Sequence, residues 1–205
     1  MADTLPVLDL ALLELPDAEQ AAYLAQLRET ARDVGFFYLV NHGINPQLLH
    51  NVQSITRAFF ALPQAEKQRV AMIHSPHFRG YNHAGVEYTR DQRDQREQFD
   101  IGAERAALTL QPGDPAWKRL QGPNLWPEAL PQLRPVMHAW QQAMTAIALR
   151  LLRAFAKALA LPPDAFDALY GTQPNEHIKL IRYPGQAAEA SQQGVGAHKD
   201  SGFLT

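Results

Sequence analysis

His198 and Asp200 stand two residues apart in the stretch Gly194-Val-Gly-Ala-His-Lys-Asp-Ser-Gly-Phe-Leu-Thr205. In an extended strand, side chains alternate between faces. This spacing therefore sets an imidazole beside a carboxylate, while Lys199 and Ser201 point the other way. Such a pair supplies two donors for a metal. A second histidine would complete a two-histidine, one-carboxylate facial set on iron(II), with other positions open to a co-substrate and dioxygen. Taken alone, a His-x-Asp pair is a weak motif. Its surroundings strengthen it: Gly194 and Gly196 allow a bend or a close backbone approach, and Phe203-Leu204-Thr205 reads as a strand entering a core. A serine-hydrolase reading fails, because Ser201 would lie on the wrong face and no Gly-x-Ser-x-Gly elbow occurs. A zinc hydrolase is disfavoured by the absence of a His-Glu-x-x-His helix and of any cysteine.

The elements that must position this pair are legible upstream. Leu5–Leu10 alternates and reads as an edge strand. Asp17 is expected to cap a helix running to about Val34, with Ala21, Leu24, Leu27 and Ala31 on its apolar stripe, ended by Gly35. The run Phe36–Val40 reads as a buried strand, followed by a turn at Asn41-His42-Gly43. A second helix starts at Asn45-Pro46 and buries Leu48, Leu49, Val52, Ile55, Phe59 and Phe60; a short polar helix follows over residues 64–70. His74, His77 and His83 fit no regular spacing and are read as loop histidines. Tyr88–Glu97 carries three positive and three negative charges, which predicts a solvated loop. Residues 98–102 read as a short strand, and 111–135 as a proline-rich connector in which Trp117, Leu125 and Trp126 should be buried. The longest helix is expected from about Pro135 to Leu161, with Val136, Trp140, Met144, Ile147, Leu151, Phe155 and Leu159 inward. Glu176–Tyr183 reads as a strand, with Ile178, Leu180 and Arg182 facing one way and His177, Lys179, Ile181 and Tyr183 the other. Helices before residue 170 and strands after it point to an α+β chain that leads into antiparallel β structure.

Bulk properties bound the partners. The chain has 205 residues and 46% hydrophobic residues, enough for a sizeable core. A net charge of −2 gives no reason to expect nucleic acid or an anionic membrane as partner. The lack of cysteine excludes disulfides and thiolate metal sites and suits a reducing compartment. No basic n-region, signal h-region or run of 18 apolar residues is found, so a cytoplasmic protein is expected. Composition leaves the oligomeric state open.

Several motifs in order carry a family resemblance. They are Leu5-Pro-Val-Leu-Asp-Leu10, Gly35-Phe-Phe-Tyr-Leu-Val-Asn-His-Gly-Ile44, Phe59-Phe-Ala-Leu-Pro63 with Glu66-Lys67, and Arg79-Gly-Tyr81. Glu97-Gln-Phe-Asp-Ile-Gly102, Gly122-Pro-Asn-Leu-Trp-Pro127, Leu180-Ile-Arg-Tyr-Pro184 and the His198 stretch follow. Together they resemble the isopenicillin N synthase-like Fe(II)- and 2-oxoglutarate-dependent oxygenases.

The resemblance implies a helical N-terminal region leading into a double-stranded β-helix (jelly-roll) core, incomplete in this chain. Its expected parts are an N-terminal mixed region over 1–110, a connector and long core helix over 111–175, and the start of the catalytic core over 176–205. It implies iron ligation by His198 and Asp200, a place for Tyr183 near the co-substrate or substrate carboxylate, and a place for Arg79 towards the substrate. The implied cofactors are Fe(II), 2-oxoglutarate and O2, and the implied partner is a small-molecule substrate. In this family the third ligand, a histidine, and an Arg-x-Ser pair follow the His-x-Asp strand, so the natural polypeptide is expected to continue past Thr205. Two alternatives stay open: an isopenicillin N synthase-type oxidase that uses no 2-oxoglutarate, and a non-catalytic fragment or binding module of the same fold.

Overall fold

A computed structural model describes residues 4–170, 174–185, 194–200 and 202–205. Two compact units emerge, each built from two separated stretches: Met1–Gln47 with Gln142–Pro174, and Leu48–Gln141 with Asn175–Thr205.

In the first unit, β1 (Val7–Asp9) is followed by a 3-10 turn at Leu10–Glu14. The Asp9 carboxylate fixes that transition, with Oδ1 accepting the Ala11 N–H at 2.9 Å and Oδ2 the Asn41 amide at 2.8 Å. The helix α1 (Asp17–Asp33) begins at Asp17 itself, with Pro16 rather than Asp17 at the N-cap. Its buried positions are Gln20, Tyr23, Leu27 and Thr30; Ala21 is exposed, so the inward stripe is rotated from the expected one. Gly35, at φ 79°, ends the helix with its N–H on the Thr30 carbonyl. Next comes β2 (Tyr38–Val40), which pairs in parallel with β1, Leu8 opposite Leu39. This strand is not buried as its apolar run suggested. Tyr38 is 61% exposed, because in a two-stranded sheet only Leu39 and neighbouring Phe37 meet the core of Leu8, Tyr23, Leu27 and Ala154.

Most of the second unit starts with α2 (Pro46–Ala61), whose first turn is capped by Asn45 Oδ1 on the Gln47 N–H at 2.8 Å. Then follow α3 (Gln64–Arg69), β3 (Gly80–Asn82), β4 (Tyr88–Thr89), β5 (Gln92–Arg93) and β6 (Glu97–Gly102). The helix α4 (Leu133–Ala158) falls partly in each unit, and α5 (Asp167–Tyr170) belongs to the first. The last strand, β7 (His177–Arg182), returns to the second unit.

An antiparallel sheet β3-β6-β7 is the frame of the second unit. Tyr81, Phe99 and Leu180 lie side by side across it, and Glu97 stands opposite Arg182. One face of the sheet, with Tyr81, Phe99, Ile101 and Leu180, packs on Phe59 and Phe60 of α2 and on Leu133 and Met137 of α4. The Phe59 and Phe99 rings are 4.5 Å apart between centroids. The two faces of β7 are those the alternation predicts, since Ile178 and Leu180 join this core.

Three expectations are corrected. Tyr88–Glu97 is a β4–β5 hairpin rather than a solvated loop, with Arg90 and Asp91 both at positive φ in the turn. Trp117 is 66% exposed, because it sits on a short 3-10 turn, Ala116–Leu120, that sends it outward. Residues 194–200 form no strand, and β7 is the one strand after residue 170 among the described residues. Ser201, expected to point away from His198, lies outside the described residues. No helix among the described residues is long and apolar enough to cross a membrane.

Candidate active site

The second face of the β3-β6-β7 sheet is polar. Alternation puts Asn82, Gln98, Asp100, His177 and Lys179 on it. Gln98 and Asp100 are almost fully buried. The Gln98 amide donates to Glu87 Oε1 at 2.6 Å and to Asp100 Oδ2 at 2.8 Å. The other Asp100 oxygen lies 2.7 Å from His177 Nε2 and 3.6 Å from Lys179 Nζ. Buried carboxylates are costly unless paired, and each of these has partners.

The β4–β5 hairpin extends this network. Arg96 reaches Glu87 at 2.9 Å and Asp94 at 3.5 Å, and it also lies beside the Tyr183 hydroxyl. Burial works to lower the pKa of the Arg96 guanidinium, but the interactions with Glu87 and Tyr183 outweigh it and hold the group above its ordinary value. Asp94 is 1% exposed. Its Oδ2 accepts the Thr89 hydroxyl at 2.8 Å, and its Oδ1 accepts the Gly196 N–H at 3.2 Å.

Gly196 leads directly to the pair singled out in the sequence. The Gly196 carbonyl lies 2.7 Å from His198 Nδ1, so that nitrogen must carry the proton and donate it. In a neutral imidazole this leaves Nε2 as a lone pair, and Nε2 sits 3.2 Å from Asp200 Oδ1. Two acceptors facing each other at that distance need a cation between them, either a proton or a metal ion. Two ligand atoms about 2.1 Å from one ion and at right angles to each other stand about 3.0 Å apart, so the separation suits a shared metal. Both side chains are about half exposed, which leaves the outer side of such an ion accessible. Among the described residues no cluster of three or more histidine, cysteine or carboxylate side chains is placed to hold a metal. The structure thus brings His198 and Asp200 together, but through the Gly196 anchor and not through strand alternation.

Tyr183 follows β7 directly and is half exposed. Its ring lies against Gly194, where an added Cβ would come within 3.0 Å of two ring carbons. Tyr183 therefore joins the same hairpin and the same segment as the His198 pair. Arg79 is the residue that the resemblance places towards the substrate. It is 3% exposed, and its guanidinium donates to the carbonyls of His77, Phe78 and Leu120 at 2.9, 3.1 and 3.2 Å. Burial lowers its pKa, opposed by the charges of Asp100 and Glu104. A Cβ at Gly102 would overlap that guanidinium. Gly102→Ala is accordingly expected to lower stability by about 1–3 kcal/mol, as overpacking does. An unchanged midpoint in urea unfolding would contradict this packing.

A tally of charges over residues 88–97 gives no role to Asp94 and Arg96, whereas Gln98 and Asp100 carry a period-two signal, since they share a face of β6 with Gly102.

The profile described as non-haem dioxygenase in morphine synthesis N-terminal matches residues 5–129. The chain belongs to this non-haem dioxygenase family. It is 37% identical over 97% of its length to the 2-oxoglutarate-dependent dioxygenase frbJ of Dothideomycetidae sp. (strain 11243), covering 54% of that protein. It is 34% identical over 98% of its length to a homoarginine-6-hydroxylase of Arabidopsis thaliana, covering 64% of that protein. The chain thus spans about half to two-thirds of the length of these dioxygenases. Among solved structures, a full-length Neurospora crassa protein in complex with alpha-KG superposes with a TM-score of 0.79 at 24% identity, over 98% of this chain and 63% of the other. A 2OG-Fe(II) oxygenase family protein of Caulobacter crescentus gives a TM-score of 0.72 at 22% identity, over 92% of this chain and 59% of the other. The fold of this chain is therefore that of the corresponding part of the 2OG-Fe(II) oxygenases.

Proposed function

We propose that the polypeptide carrying this chain is an Fe(II)- and 2-oxoglutarate-dependent dioxygenase that oxidises a small molecule. The observation that carries this reading is the His198–Asp200 pair, with Nε2 and Oδ1 3.2 Å apart and Nδ1 held by a backbone carbonyl. A metal-ligating histidine characteristically donates its other ring N–H to such a partner. In this reading His198 and Asp200 hold the iron, and the third ligand is a histidine outside residues 1–205. The β3-β6-β7 sheet opens a double-stranded β-helix core, with its polar face turned to the reactants. When bound, Fe(II) and 2-oxoglutarate supply the oxidation of a substrate C–H bond by O2, coupled to release of succinate and CO2. The chain's own part is positional. Gly196 orients the His198 ring, and the Tyr183 hydroxyl, beside the Arg96 guanidinium, is suited to donate to a carboxylate of the co-substrate or substrate.

The test is succinate release by the full-length protein under air with ferrous iron, ascorbate and 2-oxoglutarate. Slow release is expected without substrate, and faster release with the true one. Homoarginine, named in several relatives, is the first candidate to add. Protein that binds iron but releases no succinate would favour an oxidase that takes its electrons from substrate alone. Protein that neither binds iron nor turns over would be a binding module of the same fold.

A further inference from the structure

We infer that Asp94 is a positioning residue for the metal ligands, acting through Gly196; the inference rests on the reading of His198 and Asp200 as those ligands. Residues 194–200 have no ladder hydrogen bonds to fix them. Among the described residues, the hydrogen bond that ties this segment to the body of its unit runs from the Gly196 N–H to Asp94, across 102 residues of chain. Gly196 is itself buried, and it works in both directions. Its N–H is held by the Asp94 carboxylate, and its C=O holds His198 Nδ1. A displacement of Gly196 would therefore rotate the His198 ring and move Nε2 away from Asp200.

The Asp94 carboxylate is fixed in turn. The Thr89 hydroxyl and the Arg96 guanidinium hold its Oδ2, and its Oδ1 accepts the Gly196 N–H. Thr89 ends β4 and Asp94 follows β5, so both sit on one hairpin, whose turn is built from two residues in the left-handed region. Arg96 also lies beside Tyr183, whose ring lies on Gly194. One hairpin thus seats both ends of the stretch that precedes His198. Outer partners of this kind set ligand orientation, and their loss typically weakens metal binding 10- to 100-fold.

The experiment titrates Co(II) alone into the metal-free, full-length protein and reads its d–d absorption. Wild type is expected to bind, and His198→Ala to bind at least about 100-fold more weakly. Failure of either result removes the ligand reading itself. Asp94→Ala is expected to lose about tenfold or more in Co(II) affinity, while Asp94→Asn, which keeps an acceptor oxygen towards Gly196, stays within about threefold of wild type. If His198→Ala loses binding but Asp94→Ala does not, the positioning role is overturned and the ligands stand. It is equally overturned if Asp94→Asn falls as far as Asp94→Ala, since charge and not the bond to Gly196 would then matter. Should Asp94→Ala not fold, Thr89→Val frees one side of the Asp94 carboxylate and is expected to weaken Co(II) binding about threefold. No change in that variant would also overturn the proposal.

Discussion

Glu97→Ala is expected to lower the unfolding free energy by about 3–5 kcal/mol, the usual cost of removing one partner from a buried ion pair. Glu97 Oε2 accepts from Lys67 Nζ and from the Tyr81 hydroxyl, each at 2.7 Å, and Oε1 accepts from Arg182 at 3.0 Å. Lys67 keeps only 6% of its side chain exposed. Without Glu97, its ammonium would be left with the Phe60 carbonyl at 3.4 Å as its recorded hydrogen-bond partner. Burial also pushes the Tyr81 hydroxyl above its ordinary range, helped by the bond to Glu97, so Tyr81 stays a donor. Replacing the pair together, Lys67→Met with Glu97→Leu, should cost much less than either half alone, because no charge is then stranded. A loss below about 1 kcal/mol for Glu97→Ala in urea unfolding would show that the pair is not buried in solution.

The same cluster sets an acid limit. Burial alone would raise the Glu97 pKa, but the bonds from Lys67 and Tyr81 and the nearby positive charges outweigh it and leave the carboxyl below its usual value. A group with a depressed folded pKa contributes its full stability above its unfolded value, about 4.3 for glutamate, and loses that contribution as pH falls through the folded value. Wild type should therefore lose stability below about pH 4 more steeply than Glu97→Gln does.

Much of this fold could be read from periodicity. The presence of helices α1, α2 and α4 and the two faces of β7 follow from spacings of 3.6 and 2, which local backbone geometry imposes, although Ala21, Leu49 and Leu159, expected on the inward stripes, are exposed. What escaped depended on long-range partners. The apolar run 36–40 reveals that a strand forms but not that it lies in a two-stranded sheet, so the exposure of Tyr38 was hidden. Summing the charges of residues 88–97 discarded their partners, and partners such as Thr89 and Glu87 are what hold Asp94 and Arg96 inward. The burial of Arg79 was hidden because nothing local shows that Gly102, on another strand, opens the space its guanidinium fills. The His198–Asp200 pair was legible by type and spacing, yet the reason expected for its convergence was wrong. The two side chains meet because Gly196 holds the His198 ring, without a strand.

Asp200→Ala is expected to leave stability nearly unchanged and to reduce succinate release by the full-length protein at least about a thousandfold, as removal of one member of a catalytic unit does. The contrast with Glu97 follows from burial. The Asp200 side chain is 57% exposed, and its recorded partner is His198 at 3.2 Å. An exposed pair of this kind contributes little to folding, about 0–1 kcal/mol. In the proposed reading its value lies in the donor it offers: a carboxylate oxygen beside the His198 lone pair, which would be the one anion of a two-histidine, one-carboxylate set. Alanine removes that anion while leaving the Gly196–His198 bond in place, so the imidazole stays oriented with nothing opposite it. Asp200→Asn keeps the shape and loses the charge, and should fall nearly as far. Asp200→Glu restores the charge but carries it one methylene further out, and should recover metal binding better than turnover. Equal melting temperatures together with lost turnover would assign Asp200 to the chemistry. Turnover retained by the metal-replete alanine variant would remove Asp200 from the site and leave His198 without its partner.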